Sequence, residues 1–453
     1  MSEIRLDYSA PRGSMKIMHA VNNAPAGSTV RRAMNNYEAF RVAGIPYMRN
    51  HDASFYSGYC GEHAVDVHRI FRNFDADECD PASYDFEMTD RYVKSVADVG
   101  GETFYRLGSA IEHDKKEGTF PPKDFGKWAR ICEHIIRHYN EGWADGYHYG
   151  LTYWEIWNEP DCRNADGSNP CWQGTDEQFV ELYLTAHRHL KACFPHLKIG
   201  GPAFCSTWND AYNKKLFSAM KAAGLKPDFF SFHGYRNNPR TFHDDGEKAY
   251  AVMKEYGWEA DTELILNEWN YVRGWLGDDY VYSIRTIKGL KGSSFIAGTM
   301  AVGQDSRLTM MMYYDARPCG WNGMFDTTFL TPLKGYYPFY MYNQLYRMGT
   351  EVTAETDDDT LYVTAAKTAK TAKGEGKAGF MATYYTDNDT APAKEVTLSL
   401  SGLTAGDKCV SYYLLDEQND MTLYRTERVT ADNFTVTLNF GLYSTWFVKI
   451  EEQ

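Results

Sequence analysis

Two glutamates in this 453-residue chain each stand at the end of an apolar, strand-like run. Glu159 follows Leu151-Thr152-Tyr153-Trp154-Glu155-Ile156-Trp157-Asn158 and precedes Pro160, and Glu268 follows Leu264-Ile265-Leu266-Asn267 and precedes Trp269-Asn270. Two carboxyl groups flanking one bond are what cleavage of a glycosidic linkage asks of a protein. An acid needs a raised pKa and hence a partly desolvated site, for which Trp154 and Trp157 offer apolar walls. A nucleophile must instead be ionised and held by hydrogen bonds. Each residue alone also has a plainer reading, Glu159 as a helix-start carboxylate beside a proline and Glu268 as a strand-end acid in a salt bridge. Their pairing at two strand ends favours chemistry.

Other residues could complete such a site. Asn158 can hydrogen-bond a sugar hydroxyl beside the reacting carbon. Arg49-Asn50-His51-Asp52 closes another strand-like run. A cation there could hold a carboxylate ionised and orient it, so Arg49 is either an orienting group or a structural ion pair. His51 could bind a sugar hydroxyl. In Phe232-His233-Gly234-Tyr235, Tyr235 could donate its hydroxyl to the nucleophile and His233 could tune the acid, although a lone histidine is often a satisfied core residue.

Competing chemistries lack their motifs. There is no His-Glu-x-x-His, Cys-x-x-Cys, Gly-x-Ser-x-Gly or phosphate-binding lysine loop. No metal or organic cofactor is therefore expected. The net charge of -14 disfavours nucleic acid and anionic membranes as partners. The 34 Tyr, 24 Phe and 11 Trp suit sugar stacking as well as core packing. Nine cysteines without framework spacing read as reduced thiols. No apolar signal core opens the chain and no membrane-length apolar run occurs. The expectation is a cytoplasmic protein, or a secreted one if a signal peptide has been removed. Whether copies form a homo-oligomer is left open.

The elements that must position these residues alternate between short apolar runs and amphipathic stretches. Eight strand candidates run from Lys16 to Val21, Ile45 to Asp52, Glu102 to Ser109, Thr152 to Glu159, Leu197 to Gly201, Asp228 to Tyr235, Glu263 to Trp269 and Leu308 to Tyr314. Helices are predicted from Asp124 to Tyr139, from the Thr175-x-x-Gln178 start signal, and from Tyr282 to Ala301. This pattern predicts a (β/α)8 barrel over residues 16–348, with a doubly wound open sheet as the alternative. From 350 to 453 the runs alternate with period two and predict an accessory β-sandwich. Residues 1–15 could add a strand to it, and Lys367 to Lys377 reads as a hairpin turn.

The motifs together resemble glycoside hydrolase family 39, a family of (β/α)8 retaining glycosidases. The stretches that carry the resemblance are Arg49-Asn50-His51-Asp52, Trp154-Glu155-Ile156-Trp157-Asn158-Glu159-Pro160-Asp161, Trp172-Gln173-Gly174-Thr175, Lys198-Ile199-Gly200-Gly201-Pro202, Asp228 to Tyr235, and Leu266-Asn267-Glu268-Trp269-Asn270. The resemblance implies Glu159 as acid/base and Glu268 as nucleophile. It implies that Trp172 borders the leaving-group side, unless that ring serves loop packing. Family members often carry a Trp at the end of the eighth strand. Here the run reads Met310-Met311-Met312-Tyr313-Tyr314-Asp315-Ala316-Arg317, and the candidates for that place are Tyr314 and Trp321. The family includes β-xylosidases, α-L-iduronidases and enzymes acting on arabinose- or galactose-containing chains. The leading expectation is an exo-acting retaining glycosidase for β-xylosides or related pentose-containing oligosaccharides. The alternatives are an endo-acting polysaccharide hydrolase, a glycosidase for arabinose-, galactose- or uronate-containing chains, and an inactive carbohydrate-binding barrel.

Overall fold

The computed structural model of the chain describes residues 2–27, 34–52, 63–113, 115–369 and 376–452. A first strand, β1 (Ser2–Ser14), precedes eight strands that close into a barrel. These are β2 (Ile17–Asn22), β3 (Tyr47–Arg49), β4 (Glu102–Leu107), β5 (Tyr153–Ile156), β6 (Lys198–Phe204), β7 (Phe229–Arg236), β8 (Glu263–Tyr271) and β9 (Met310–Tyr313). Every neighbouring pair is parallel, and β9 returns to β2 through Ile17↔Met310. All eight predicted strands are present, and the open-sheet alternative is excluded by closure. Ala20, Phe104, Tyr153, Phe229, Ile265, Met310 and Met312 form a separate apolar cluster contributed by six of the barrel strands. This is the packed filling expected of such a barrel.

The helix starts follow their sequence signals. Asp124 caps Phe125–Glu141 by accepting from the Lys127 N–H, and Thr175 and Gln178 cap Asp176–Cys193 reciprocally. One helix expectation is corrected. The stretch from Tyr282 to Ala301 is not continuous but divides into Gly277–Ile287 and Leu290–Asp305. Gly289 between them is extended, with φ −111° and ψ −171°. The second helix is buried almost all round because it lies between the barrel and the C-terminal sheet, as Ser294 Oγ shows by donating to the Tyr384 carbonyl at 2.9 Å.

The C-terminal sheet has nine strands. β10 (Thr350–Thr356), β11 (Leu361–Lys367), β12 (Lys377–Tyr384), β13 (Lys394–Ser401), β14 (Lys408–Leu415), β15 (Thr422–Val429), β16 (Phe434–Phe440) and β17 (Thr445–Glu452) are joined by β1. β1 lies between β10, antiparallel to it, and β13, parallel to it. Strands from both halves of this sheet share one apolar core, including Leu398 of β13 and Val410 of β14, giving a sandwich built from one continuous sheet. Lys367 and Ala378 pair across β11 and β12, while residues 370–375 of the expected hairpin turn lie outside the described residues.

Candidate active site

The geometry begins with a register break. Phe232 of β7 pairs with Leu266 of β8, but the next pair is His233 with Glu268, so Asn267 is one residue too many. Strict alternation would give Asn267 and Glu268 opposite faces. The bulge lets both turn inward. Asn267 Nδ2 reaches Glu155 Oε1 at 2.7 Å, and Glu268 meets groups from β3 and β7. Trp269 then faces outward against Phe242 and Phe295.

Arg49, at the end of β3, is fully buried and holds four acceptors. Its Nε donates to Glu155 Oε2 at 2.7 Å, Nη1 to Glu268 Oε1 at 2.7 Å and to Asn22 Oδ1 at 3.1 Å, and Nη2 to Asn158 Oδ1 at 2.8 Å. Glu155 also accepts from Ser231 Oγ at 2.5 Å. A buried carboxylate without partners would cost several kcal/mol, and this one has three. Glu268 Oε2 accepts from the Tyr235 hydroxyl at 2.8 Å, so each of its oxygens is engaged. His51 Nε2 lies 3.4 Å from Glu268 Oε1.

Glu159 arrives from a distorted backbone. Trp157 and Glu159 have φ of 77° and 45°, the left-handed region that residues with a Cβ seldom occupy. The Glu159 N–H donates to the Ala203 carbonyl at 3.0 Å, tying the turn after β5 to β6. His233 Nδ1 lies 2.7 Å from Glu159 Oε1 and 3.4 Å from Glu268 Oε2. One oxygen of each glutamate and a nitrogen of His233 fall within 4.8 Å of one another.

The two carboxyl groups sit in different fields. Burial pushes the Glu159 carboxyl up to about 8, and no lysine or arginine among the described residues is bonded to it. Burial also raises Glu268, but only to about 6, because His233, Arg49 and the Tyr235 hydroxyl favour its ionised form. Burial lowers the His233 imidazole to about 4, which leaves that ring neutral near pH 7. At neutral pH the pair is therefore one acid and one base, as general-acid and nucleophile roles require.

The remaining expected residues divide. Asn158 keeps its Nδ2 buried without a hydrogen-bond partner among the described residues, a donor available to a hydroxyl. The Tyr314 hydroxyl donates to Asp52 Oδ2, and Arg317 Nη1 donates to the Asp52 carbonyl at 3.0 Å. Trp321 stands 5.9 Å from the Tyr235 ring and 6.3 Å from Tyr314, so both candidate floor residues are beside the tyrosine that bonds Glu268. Trp172 differs. It is 1% exposed, its Nε1 donates to the Thr175 carbonyl at 2.8 Å, and its ring packs edge-on against Trp157. It packs its loop and offers no open face to a sugar.

Sequence reasoning passed over Glu155, Asn22, Ser231 and Asn267 as members of this network. Glu155 carried a signal, since a charged residue inside a four-residue apolar strand needs a buried counter-ion.

Residues 45–262 match the family model described as Glycosyl hydrolases family 39. A β-xylosidase of Geobacillus stearothermophilus is 28% identical over 181 residues, which are 37% of this chain and 33% of that protein. A β-xylosidase of Caldicellulosiruptor saccharolyticus is 26% identical over 201 residues, 42% of this chain and 37% of that protein. The matched stretches thus span about a third of the length of these curated relatives. Among solved structures, a glucosidase from Croceicoccus marinus superposes with a TM-score of 0.81 at 20% identity, covering 100% of this chain and 99% of that one. A monomeric β-xylosidase from Caulobacter crescentus superposes with a TM-score of 0.72 at 15% identity, covering 100% of both chains. The structural likeness establishes the fold.

Proposed function

We propose, from the premise that the barrel is a relative of glycoside hydrolase family 39, that this protein is a retaining glycoside hydrolase releasing terminal xylose from β-xylosides. The observation that carries the mechanism is the proximity of a protonated Glu159 and an ionised Glu268, with reacting oxygens within 4.8 Å. Retaining enzymes place their carboxyl groups about 5–5.5 Å apart, whereas inverting enzymes leave about 6.5–9.5 Å for a water.

In the first displacement a Glu268 oxygen attacks the anomeric carbon. The bond to the leaving oxygen breaks, its electron pair stays on that oxygen, and Glu159 protonates it. Arg49 and Tyr235 keep the nucleophile ionised and aimed. In the second displacement the ionised Glu159 takes a proton from water. The resulting hydroxide displaces Glu268 from the same face that the leaving group occupied, so the configuration is retained. Asn158 Nδ2 donates to a sugar hydroxyl as charge develops on the ring. The catalytic unit is residues 16–348, and residues 350–453 act as a structural accessory.

The test is nitrophenol release from β-xyloside, β-glucoside, β-galactoside, α-L-arabinoside and α-L-iduronide, with Glu268→Ala as blank. Release from β-xyloside that is lost in the variant, with the β-anomer of xylose appearing first by proton NMR, is expected. The α-anomer appearing first would overturn retention. Release from a different member would replace the sugar, and activity confined to long glycans would replace exo- with endo-action.

A further inference from the structure

The fold gathers three cysteines beside Glu159, though they are scattered in sequence. Cys162 lies in the loop after β5, Cys171 further along the same loop, and Cys205 directly after β6. The Cys171 Sγ donates to Glu159 Oε2 at 3.9 Å. The donor atoms of Glu159, Cys162 and Cys205 all lie within 4.8 Å of one another.

The backbone fixes these sulfurs before any ligand arrives. The Cys162 N–H donates to the Glu159 carbonyl at 3.0 Å, and the Cys205 N–H donates to Asp161 Oδ1 at 3.0 Å. The Cys171 carbonyl accepts from Trp157 Nε1 at 2.9 Å. The double displacement uses none of the three thiols.

We infer that Glu159, Cys162 and Cys205 form a binding site for a thiophilic divalent cation such as Zn2+ or Cd2+, with Cys171 as an adjoining sulfur. Tetrahedral zinc has sulfur ligands at about 2.3 Å and carboxylate oxygens at about 2.0–2.2 Å, so its ligand atoms lie about 3.5–3.8 Å apart. Closing from 4.8 Å asks for a contraction of about 1.3 Å or less. Two thiol protons and the Glu159 carboxyl proton leave to solvent as the cation binds; the two thiolates balance its charge, and the carboxylate leaves the site with one net negative charge. Arg163, next to Cys162, turns its guanidinium to Asp176 at 2.9 Å and to the Pro160 and Cys162 carbonyls.

A second donor set, Glu133, His189 and Cys193, lies on the helices Phe125–Glu141 and Asp176–Cys193. There Arg137 already neutralises Glu133 at 2.8 Å, which disfavours a cation and makes Cys193 a useful control.

Occupation of the first site ties up the Glu159 carboxylate, so the cation is an inhibitor whose removal restores turnover. That consequence rests on Glu159 as the acid/base proposed above, whereas binding itself does not. The experiment is a titration of the reduced full chain with Cd2+, following sulfur-to-cadmium charge-transfer absorption in the ultraviolet. One equivalent is expected to produce a band that a chelator removes. Cys162→Ser and Cys205→Ser, with folding checked by circular dichroism, should abolish it. Cys193→Ser should keep it, and Glu159→Gln should keep the band but weaken binding by roughly tenfold or more. Independently of any variant, bound Cd2+ should protect Cys162 and Cys205 of the unaltered chain from alkylation, read by mass spectrometry. No band in the unaltered chain, a band lost only in Cys193→Ser, or unprotected Cys162 and Cys205 would overturn the site. A band without inhibition of aryl glycoside cleavage would leave the site standing and remove Glu159 from its role.

Discussion

Arg49 Nη1 lies 2.7 Å from Glu268 Oε1 while its Nε lies 2.7 Å from Glu155 Oε2, so one buried guanidinium bridges the proposed nucleophile to a structural carboxylate deeper in the barrel. Its planar fork reaches Asn22 and Asn158 as well, a division of donors that an ammonium cannot reproduce. Arg49→Met would leave two buried carboxylates without their cation and is expected to cost about 3–5 kcal/mol of stability in urea denaturation. In the variant that folds, the acid limb of the activity profile should move to higher pH, because Glu268 loses the charge that favours its ionised form. Arg49→Lys should limit that displacement while losing catalytic rate. A stability loss with an unmoved acid limb would assign Arg49 to structure alone.

The two carboxyl groups define the pH dependence. Glu268 must be ionised, so kcat/KM should fall as pH drops through about 6. Glu159 must be protonated for the first displacement, so kcat/KM should fall as pH rises through about 8. The bell should therefore centre near pH 7. Glu159→Gln should lose the alkaline limb and about 10²–10⁴-fold in rate on substrates with poor leaving groups, with a smaller loss on activated aryl glycosides. An alkaline limb that persists in Glu159→Gln would move the acid elsewhere.

Much of this arrangement is legible in sequence because parallel strands buried on both sides read as short apolar runs, and a barrel ends each of them at the site. Arg49, Asn158, Glu159, His233, Tyr235 and Glu268 all close such runs. Their mutual distances are not legible, because they depend on the Asn267 bulge, which no residue type announces. Glu155 was overlooked for a related reason. Its partners Arg49, Ser231 and Asn267 come from three other strands, and only barrel closure brings them together. Of the two readings open for Trp172, its ring contacts with Trp157 and Phe179 favour loop packing, which sequence alone could not separate from bordering a sugar. The break at Gly289 was hidden because the flanking residues are apolar enough to continue one helix.

Glu159 also carries a stability consequence. Burial raises its carboxyl from an ordinary 4.5 to about 8, so the folded chain keeps a proton that the unfolded chain has lost across that interval. Folding stability contributed by this group is thus full below about 4.5 and declines as pH rises towards 8. Asp161, raised by burial to about 7, adds to the same slope. Glu159→Gln cannot ionise, and at pH 8 it should be more stable than the parent by on the order of a few kcal/mol. At pH 4.5 the two should melt together. Equal melting temperatures at pH 8 would show that the folded state accommodates the Glu159 charge without penalty.

Asp387 joins the C-terminal sheet to the loop that follows β8. It accepts from the Tyr271 hydroxyl at 2.7 Å and Asn237 Nδ2 at 2.9 Å, and pairs with Lys291 at 2.8 Å and Arg273 at 3.1 Å. Tyr271 is the last residue of the strand that carries Glu268, so this cluster anchors that strand's outer end. Lys291 is nearly buried and keeps Asp389 as a second partner. Asp387→Ala should therefore destabilise the chain by about 1–3 kcal/mol rather than unfold it, the cost of leaving buried donors under-satisfied. Because the cluster touches neither Glu159 nor Glu268, the carboxyls proposed as catalytic, both limbs of the pH profile should stay in place while the melting temperature falls. A displaced acid limb in Asp387→Ala would instead show that the sheet domain sets the position of Glu268, and would give residues 350–453 a part in tuning the reaction.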